Sequence, residues 1–382
     1  MTSSARTWLD RIRDLPLTRP VSILNVCGGH ERTLAAAGLR KLMPPGVNLI
    51  PGPGCPVCVC PEEDVFEAIR LVMHERVVLV AFGDMLRVPV NVPKGEPRSL
   101  EQAKALGADI RPIASPMEAA AVARGNPERP VVFFVAGFET TLAPVAALVS
   151  QGLPRNLLLL VAGRLTWPAV AMLLRSERPG FDALIAPGHV ATVMGPEEWE
   201  FVVRDHAMPA AIGGFTTESL LAATYSTLRQ IVDGCSFLDN CYGESVRPGG
   251  NPTARRCIAE TMDVVEAGWR GIGIIPDSGY RLRPVYAAHD ARRHFPADQG
   301  GPRPRRGEMP PGCDCARVIL GKVLPTDCRL YGSACTPDTA IGPCMVSDEG
   351  ACHVWWSAGH RRTRSRPAAI RADRTAAGRA PP

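Results

Sequence analysis

Val21–Glu31 reads V-S-I-L-N-V-C-G-G-H-E, and the residues after it are rich in Ala and Leu to about Leu42. An apolar run of strand length ends in a cysteine, two glycines loosen the backbone, and a helix begins. The same order recurs along the chain. Val47–Ile50 leads into G-P-G-C-P-V-C, after which Pro61 stands at a first helical position. Glu62, Glu63 and Asp64 fill the first turn, and Val65, Ile69 and Val72 form an apolar stripe. Val77–Phe82 leads into Gly83-Asp84-Met85. After a break near Gly125–Pro130, Val131–Ala136 leads into G-F-E-T-T, Leu157–Val161 into Gly163, and Ala183–Ala186 into P-G-H-V. Ala210–Ile212 leads into Gly213-Gly214 and a long helix from about Thr217 to Ile231.

Strands alternating with helices predict an α/β fold with parallel sheets, in which ligands gather beyond the carboxyl ends of the strands. The Cys, His, Glu and Asp residues just named all stand at such turns. The break near residue 125 predicts two parallel-sheet α/β domains facing a cleft, residues 20–125 and 126–232. Residues 233–357 follow as a C-terminal cysteine-rich iron–sulfur domain, with Trp269–Pro276 as one more strand. Asp298–Pro311 reads as a Pro/Arg-rich linker, and residues 358–382 as a disordered, Arg-rich tail.

The chain has 382 residues, 46% of them apolar, enough to bury real cores without covalent staples. Its thirteen cysteines are therefore not needed to hold the fold. Met1–Arg19 is charged throughout and lacks an apolar core, so no export signal is read and the cytoplasm is the expected compartment. Thiols there stay reduced, and cysteine groups point to metal or redox chemistry. Apolar runs such as Leu157–Ala162 are too short to span a bilayer. The net charge of +5 sits largely in the tail and around Arg303–Arg306, and aromatics are 5%, which disfavours a nucleic-acid partner. No Walker motif and no full G-x-G-x-x-G appears.

Six cysteines between Cys313 and Cys352 are spaced C-x-C-x12-C-x6-C-x8-C-x7-C. Soft thiolates suit an iron–sulfur cluster; zinc and disulfides are the rivals, although paired zinc knuckles do not occur twice. Cys27 precedes a helix whose N-terminus is expected to lower its pKa, and His30, one turn on, can face the same point. Cys55 and Cys58 form a C-x-x-C pair, either a two-electron thiol couple or half a metal site. Cys60 reads as a buried small residue. Glu139 and His189 offer a carboxylate and an imidazole at strand ends for proton transfer or anion binding.

The strings C-G-G-H, G-P-G-C-P-V-C, F-G-D-M-L-R-V-P, G-F-E-T-T, P-G-H-V, W-R-G-I-G-I-I-P-D-S-G, C-T-P and G-P-C-M-V-S-D-E-G-A-C run in order over about residues 20–356. In them the sequence resembles the HypD family of [NiFe] hydrogenase maturation factors. The resemblance implies two α/β domains and a third holding a [4Fe-4S] cluster. It also implies a complex with a HypC-type small chaperone, on which an Fe(CN)2CO unit is built. A HypE-type donor would bring cyanide as a cysteine thiocyanate, and the hydrogenase large subunit would receive the iron group.

Carried over, Cys27 is the iron-binding thiolate with His30 beside it. Cys55 and Cys58 are the redox pair, and Glu139 and His189 line the cleft. Cys315, Cys328, Cys335 and Cys352 are the favoured cluster ligands, with Cys344 the first substitute. The expected role is an assembly scaffold with redox activity, electrons passing from the cluster through Cys55/Cys58 to iron at Cys27. A stand-alone iron–sulfur oxidoreductase is the alternative. Where the family often carries a second histidine after C-G-G-H, this sequence has Arg32.

Overall fold

The runs of Val, Ile and Leu form short strands buried on both faces, the signature of parallel strands covered by helices on either side. The computed structural model describes residues 2–176, 179–296 and 309–361. Most of the expected linker and the tail beyond residue 361 lie outside the described residues. Among the described residues, nine strands make two parallel sheets. The first holds β1 (Val21–Cys27), β2 (Val47–Gly54), β7 (Ala183–Pro187), β8 (Ala210–Gly213) and β9 (Leu238–Asn240), in the order β2-β1-β7-β8-β9. The second holds β3 (Val78–Phe82), β4 (Ile110–Ile113), β5 (Val131–Gly137) and β6 (Leu157–Gly163), in the order β4-β3-β5-β6.

The α/β class with two parallel sheets is as expected; the place where the chain divides is not. After β2 the chain leaves the first sheet, builds the whole second sheet from β3 to β6, and returns for β7, β8 and β9. Strands on both sides of residue 125 therefore share one sheet, as β3 pairs with β5 from Val78↔Val131 to Ala81↔Phe134. β9, expected in the C-terminal region, is the edge strand of the first sheet. Period and turn signals locate strands but do not name their partners.

The predicted strand near Trp269 is an antiparallel hairpin of β10 (Met262–Trp269) and β11 (Gly273–Leu282). It lies beside β6, where the Leu165 amide donates to the Ser278 carbonyl at 2.9 Å. The helix expected to reach Leu42 breaks at Gly38, whose φ of 63° is left-handed, and resumes at Leu39. The cysteine-rich region has two short helices, Cys315–Ile319 and Ala351–Ser357, joined by turns. The first packs on β2, the second on the helix Gly28–Ala36, and the turn Pro343–Met345 packs on the short helix Pro56–Val59. Among the described residues no helix is long and apolar enough to cross a membrane.

One close approach fixes the ends of β1 and β2. Cys27 pairs with Gly54, and a Cβ added at Gly54 would sit 1.5 Å from the Val26 carbonyl oxygen and 2.7 Å from the Cys27 Cα. Gly54→Ala is expected to cost about 3 kcal/mol, the upper end of overpacking losses. Gly83→Ala, where nothing lies within 4 Å, should stay within about 0.5 kcal/mol of the parent. Urea denaturation of the two variants checks both.

Candidate functional site

Cys27 ends β1, and its register partner Gly54 immediately precedes Cys55. Two neighbouring parallel strands therefore deliver the lone thiol and the C-x-x-C pair to one end of the sheet. There a cavity of 480 Å³ opens between the sheets. The first sheet contributes Cys27, Gly54, Pro56, Pro187, His189 and Phe215, and the second Phe138, Thr140, Thr141 and Thr166. All follow or end strands, the location parallel sheets reserve for ligands. Arg32 lines the wall, and Glu349 of the cysteine-rich region closes one side. Arg32 is ion-paired to Asp348 at 2.8 Å, an exposed contact.

The Cys27 thiol faces the backbone N–H groups of Gly29 and His30 at the start of the helix Gly28–Ala36, and these favour the thiolate. Burial outweighs them. It pushes the thiol up to about 12, helped by the charges of Glu349 and Glu31. The expected lowering is thus reversed, because desolvation of the anion exceeds what two amides supply.

His30 is fully buried and does not line the cavity. Its Nδ1 lies 2.9 Å from the Asn25 Oδ1 and its Nε2 2.9 Å from the Gly213 carbonyl oxygen. The Asn25 amide donates to the Glu31 Oε1 (2.7 Å) and to the Cys27 carbonyl (3.2 Å), which leaves its oxygen for His30. Burial pushes the imidazole down to about 3, so it stays neutral. Glu31 in turn is clamped by Arg40, 2.6 Å to either oxygen. The expected neighbour of Cys27 is therefore a brace tying β1 to β8, with its backbone N–H, not its ring, toward the thiol.

Glu139 also lies behind the wall rather than in it. Its carboxylate accepts from the Thr166 amide and the Thr166 hydroxyl, each at 2.7 Å, and burial raises its pKa to about 7. Glu198 and Tyr280 share this buried region. Burial pushes Glu198 up to about 8, with the Glu139 charge adding to it. His189 does reach the cavity, stacked on Phe215 with ring centroids 3.6 Å apart. Glu349 and Phe215 were not legible as site residues. Glu349 sits in S-D-E-G-A-C, a string that drew notice for its cysteines.

Cys55 and Cys58 are joined by a disulfide, Cα atoms 5.3 Å apart, and both are buried. The helix Pro56–Val59 between them packs on the turn that carries Cys344. Five of the six C-terminal cysteines share one core with this pair, and Cys313 packs against it. Cys313, Cys344 and Cys352 are the neighbours that shift the Cys315 thiol, and a Cβ added at Gly342 would lie 2.4 and 2.5 Å from the Cys313 and Cys315 sulfurs. Cys313 is held below the usual thiol range as the acceptor from Cys315, and Cys315, the donor, is pushed well above it. Cys335 accepts from the Ile341 amide at 3.4 Å, and Cys328 points to the Gly312 carbonyl at 4.0 Å.

Among the described residues no group of three or more His, Cys, Asp or Glu side chains is spread to hold a single metal ion. The thiols instead meet one another in a buried shell, and such a dense set of soft donors fits a thiolate-held iron–sulfur cluster. Cys60 is buried, and its thiol is pushed up to about 12 by that burial.

A family model described as "Hydrogenase formation hypA family", under the heading HypD, matches residues 3–359. The chain belongs to the HypD family. It is 39% identical over 348 residues to hydrogenase maturation factor HypD of Rhodobacter capsulatus, covering 90% of this chain and 91% of that protein. It is 39% identical over 342 residues to hydrogenase maturation factor HypD of Escherichia coli (strain K12), covering 88% and 89%. It is 38% identical over 354 residues to the protein of that name from Azotobacter vinelandii, covering 90% and 91%.

The pH dependence of Glu139 is directly measurable. Below its ordinary value of 4.5 the carboxyl is protonated folded or unfolded and costs nothing. Between 4.5 and about 7 the unfolded chain releases the proton and the folded one keeps it. Stability is therefore lost as pH rises through that window. Glu139→Gln keeps both Thr166 contacts and cannot titrate. Its stability relative to the parent should rise by on the order of 3 kcal/mol across the window, read from urea titrations at pH 4.5 and 7.

Proposed function

We propose that this hydrogenase maturation factor is an assembly scaffold with redox activity, on which the Fe(CN)2CO group of [NiFe] hydrogenases is built in the cavity between the two sheets. What carries the reading is the meeting of three features at one place. These are the lone thiol of Cys27, the Cys55–Cys58 disulfide one register position away, and the cysteine-rich shell packed against that disulfide's helix. The relatives named above are called hydrogenase maturation factors, which supports the reading.

In this reading the iron is cargo. Cys27 supplies one soft ligand, and a thiolate from a HypC-type chaperone supplies another through the open side of the cavity. Cys27 is poor at ionising alone, and a bound Lewis acid is what makes its thiolate stable in so dry a place. The Thr140 and Thr141 face with His189 offers hydrogen bonds to the nitrogen ends of cyanide. A HypE-type partner brings cyanide as a thiocyanate.

Reduced Cys55 and Cys58 give two electrons and two protons as they close to the disulfide. The thiocyanate S–C bond takes the two electrons and one proton, leaving a thiol and a cyanide ion, and the second proton goes to solvent. A [4Fe-4S] cluster held by four of the six C-terminal cysteines would supply electrons that reopen the disulfide. Cys315, Cys328, Cys335 and Cys352 remain the favoured ligands, and the contacts of Cys315 make Cys344 a close rival. The cytoplasm, where thiols stay reduced, is the compartment this chemistry requires.

Infrared spectroscopy of the anaerobically isolated complex with the small chaperone tests the reading. Cyanide and carbonyl stretching bands are expected in the parent and should be lost in Cys27→Ala. A Cys55→Ala, Cys58→Ala variant should keep iron but build the bands at least tenfold more slowly. Bands of full intensity in Cys27→Ala would refute the assignment of iron to that thiol.

A further inference from the structure

Arg270 stands in the turn of the β10–β11 hairpin and is fully buried, an expensive place for a guanidinium. Its amide donates to the carbonyl of Val59, the residue after Cys58, at 3.0 Å. Its Nη2 donates to the Pro89 carbonyl at 2.6 Å, and the Glu62 carboxylate, likewise buried, is 3.6 Å from Nη2. A Cβ added at the next residue, Gly271, would lie 2.7 Å from the Ala316 Cβ and the same from Met309. Ala316 directly follows Cys315. The turn is thus wedged between the disulfide loop and the helix that begins at Cys315. Among the described residues, its Nε and Nη1 have no hydrogen-bond partner.

Buried donors left unmade are rare in folded proteins and call for a reason. A loose ion pair at 3.6 Å does not absorb a guanidinium's hydrogen-bonding capacity. The nearby thiols give the reason. The turn that carries Arg270 is bonded to the Cys55–Cys58 loop through Val59 and pressed against Ala316, the residue after Cys315, so its charge is fixed between the two thiol groups. A fixed cation beside a thiolate-held metal group stabilises its reduced, more negative state, because buried charges are weakly screened.

We propose that Arg270 is a positioning residue for electron transfer, a built-in cation that raises the reduction potential of the group held by the C-terminal cysteines. It would set that group's electron affinity where the module meets the Cys55–Cys58 loop. The proposal rests on the reading that these cysteines hold an iron–sulfur cluster.

The test is an optical redox titration of the full chain, purified anaerobically, with iron and acid-labile sulfide measured first. Arg270→Gln should lower the reduction equilibrium constant about tenfold, a shift of about 59 mV for one electron. Arg270→Lys should keep most of the parent value. Glu62→Gln, which removes the counter-charge, should move the potential the opposite way, and it serves if Arg270→Gln does not fold. Iron and sulfide absent from the parent would defeat the cluster reading itself. A parent that carries the cluster, with a potential unmoved in the variants that fold and load it, would overturn the role of Arg270 alone.

Discussion

The contact between Gly54 and the Val26–Cys27 backbone is the constraint on which the site depends. No residue with a side chain fits there, since even a Cβ would overlap the Val26 carbonyl. That approach lets β2 run alongside β1 to its last residue, so that Cys55 leaves the sheet beside Cys27. The short helix that follows carries the disulfide away from the cavity mouth and onto the turn of Cys344. A single missing side chain thereby sets the spacing between the cavity and the cysteine-rich shell.

Desolvation governs the chemistry around this contact. Cys27 sits where two amides favour a thiolate, yet burial wins and the thiol holds its proton. His30 is neutral, with one ring proton for two acceptors, and Glu139 keeps its proton to about pH 7. A site whose walls disfavour free charge suits, in the proposed reading, a cargo that arrives as a cation with anionic ligands already in place.

Much of this was legible in the sequence. The strand–loop–helix order placed Cys27, Cys55, Cys58 and His189 at strand ends, and all stand there. The division at residue 125 misled because β3 and β5 flank it as sheet partners, and partner choice is a long-range property that local periodicity does not encode. The spacing after Cys27 turns His30 toward the same point and the family resemblance puts Glu139 in the cleft, whereas their side chains turn inward to Asn25, Gly213 and Thr166. Phe215 and Glu349 escaped notice because an aromatic after Gly-Gly and a glutamate among cysteines carry no motif. Only the packing of the cysteine-rich region on the helix Gly28–Ala36 brings Glu349 to the wall.

In the proposed reading two thiol sites hold two kinds of iron, a cargo ion at Cys27 and a resident cluster in the C-terminal shell. Mössbauer spectroscopy of 57Fe-enriched protein, isolated anaerobically with its small partner, tests it most directly. Two iron populations are expected, one low-spin and one cluster-like, with only the low-spin signal lost in Cys27→Ala. A single population, or loss of both signals together in that variant, would contradict it.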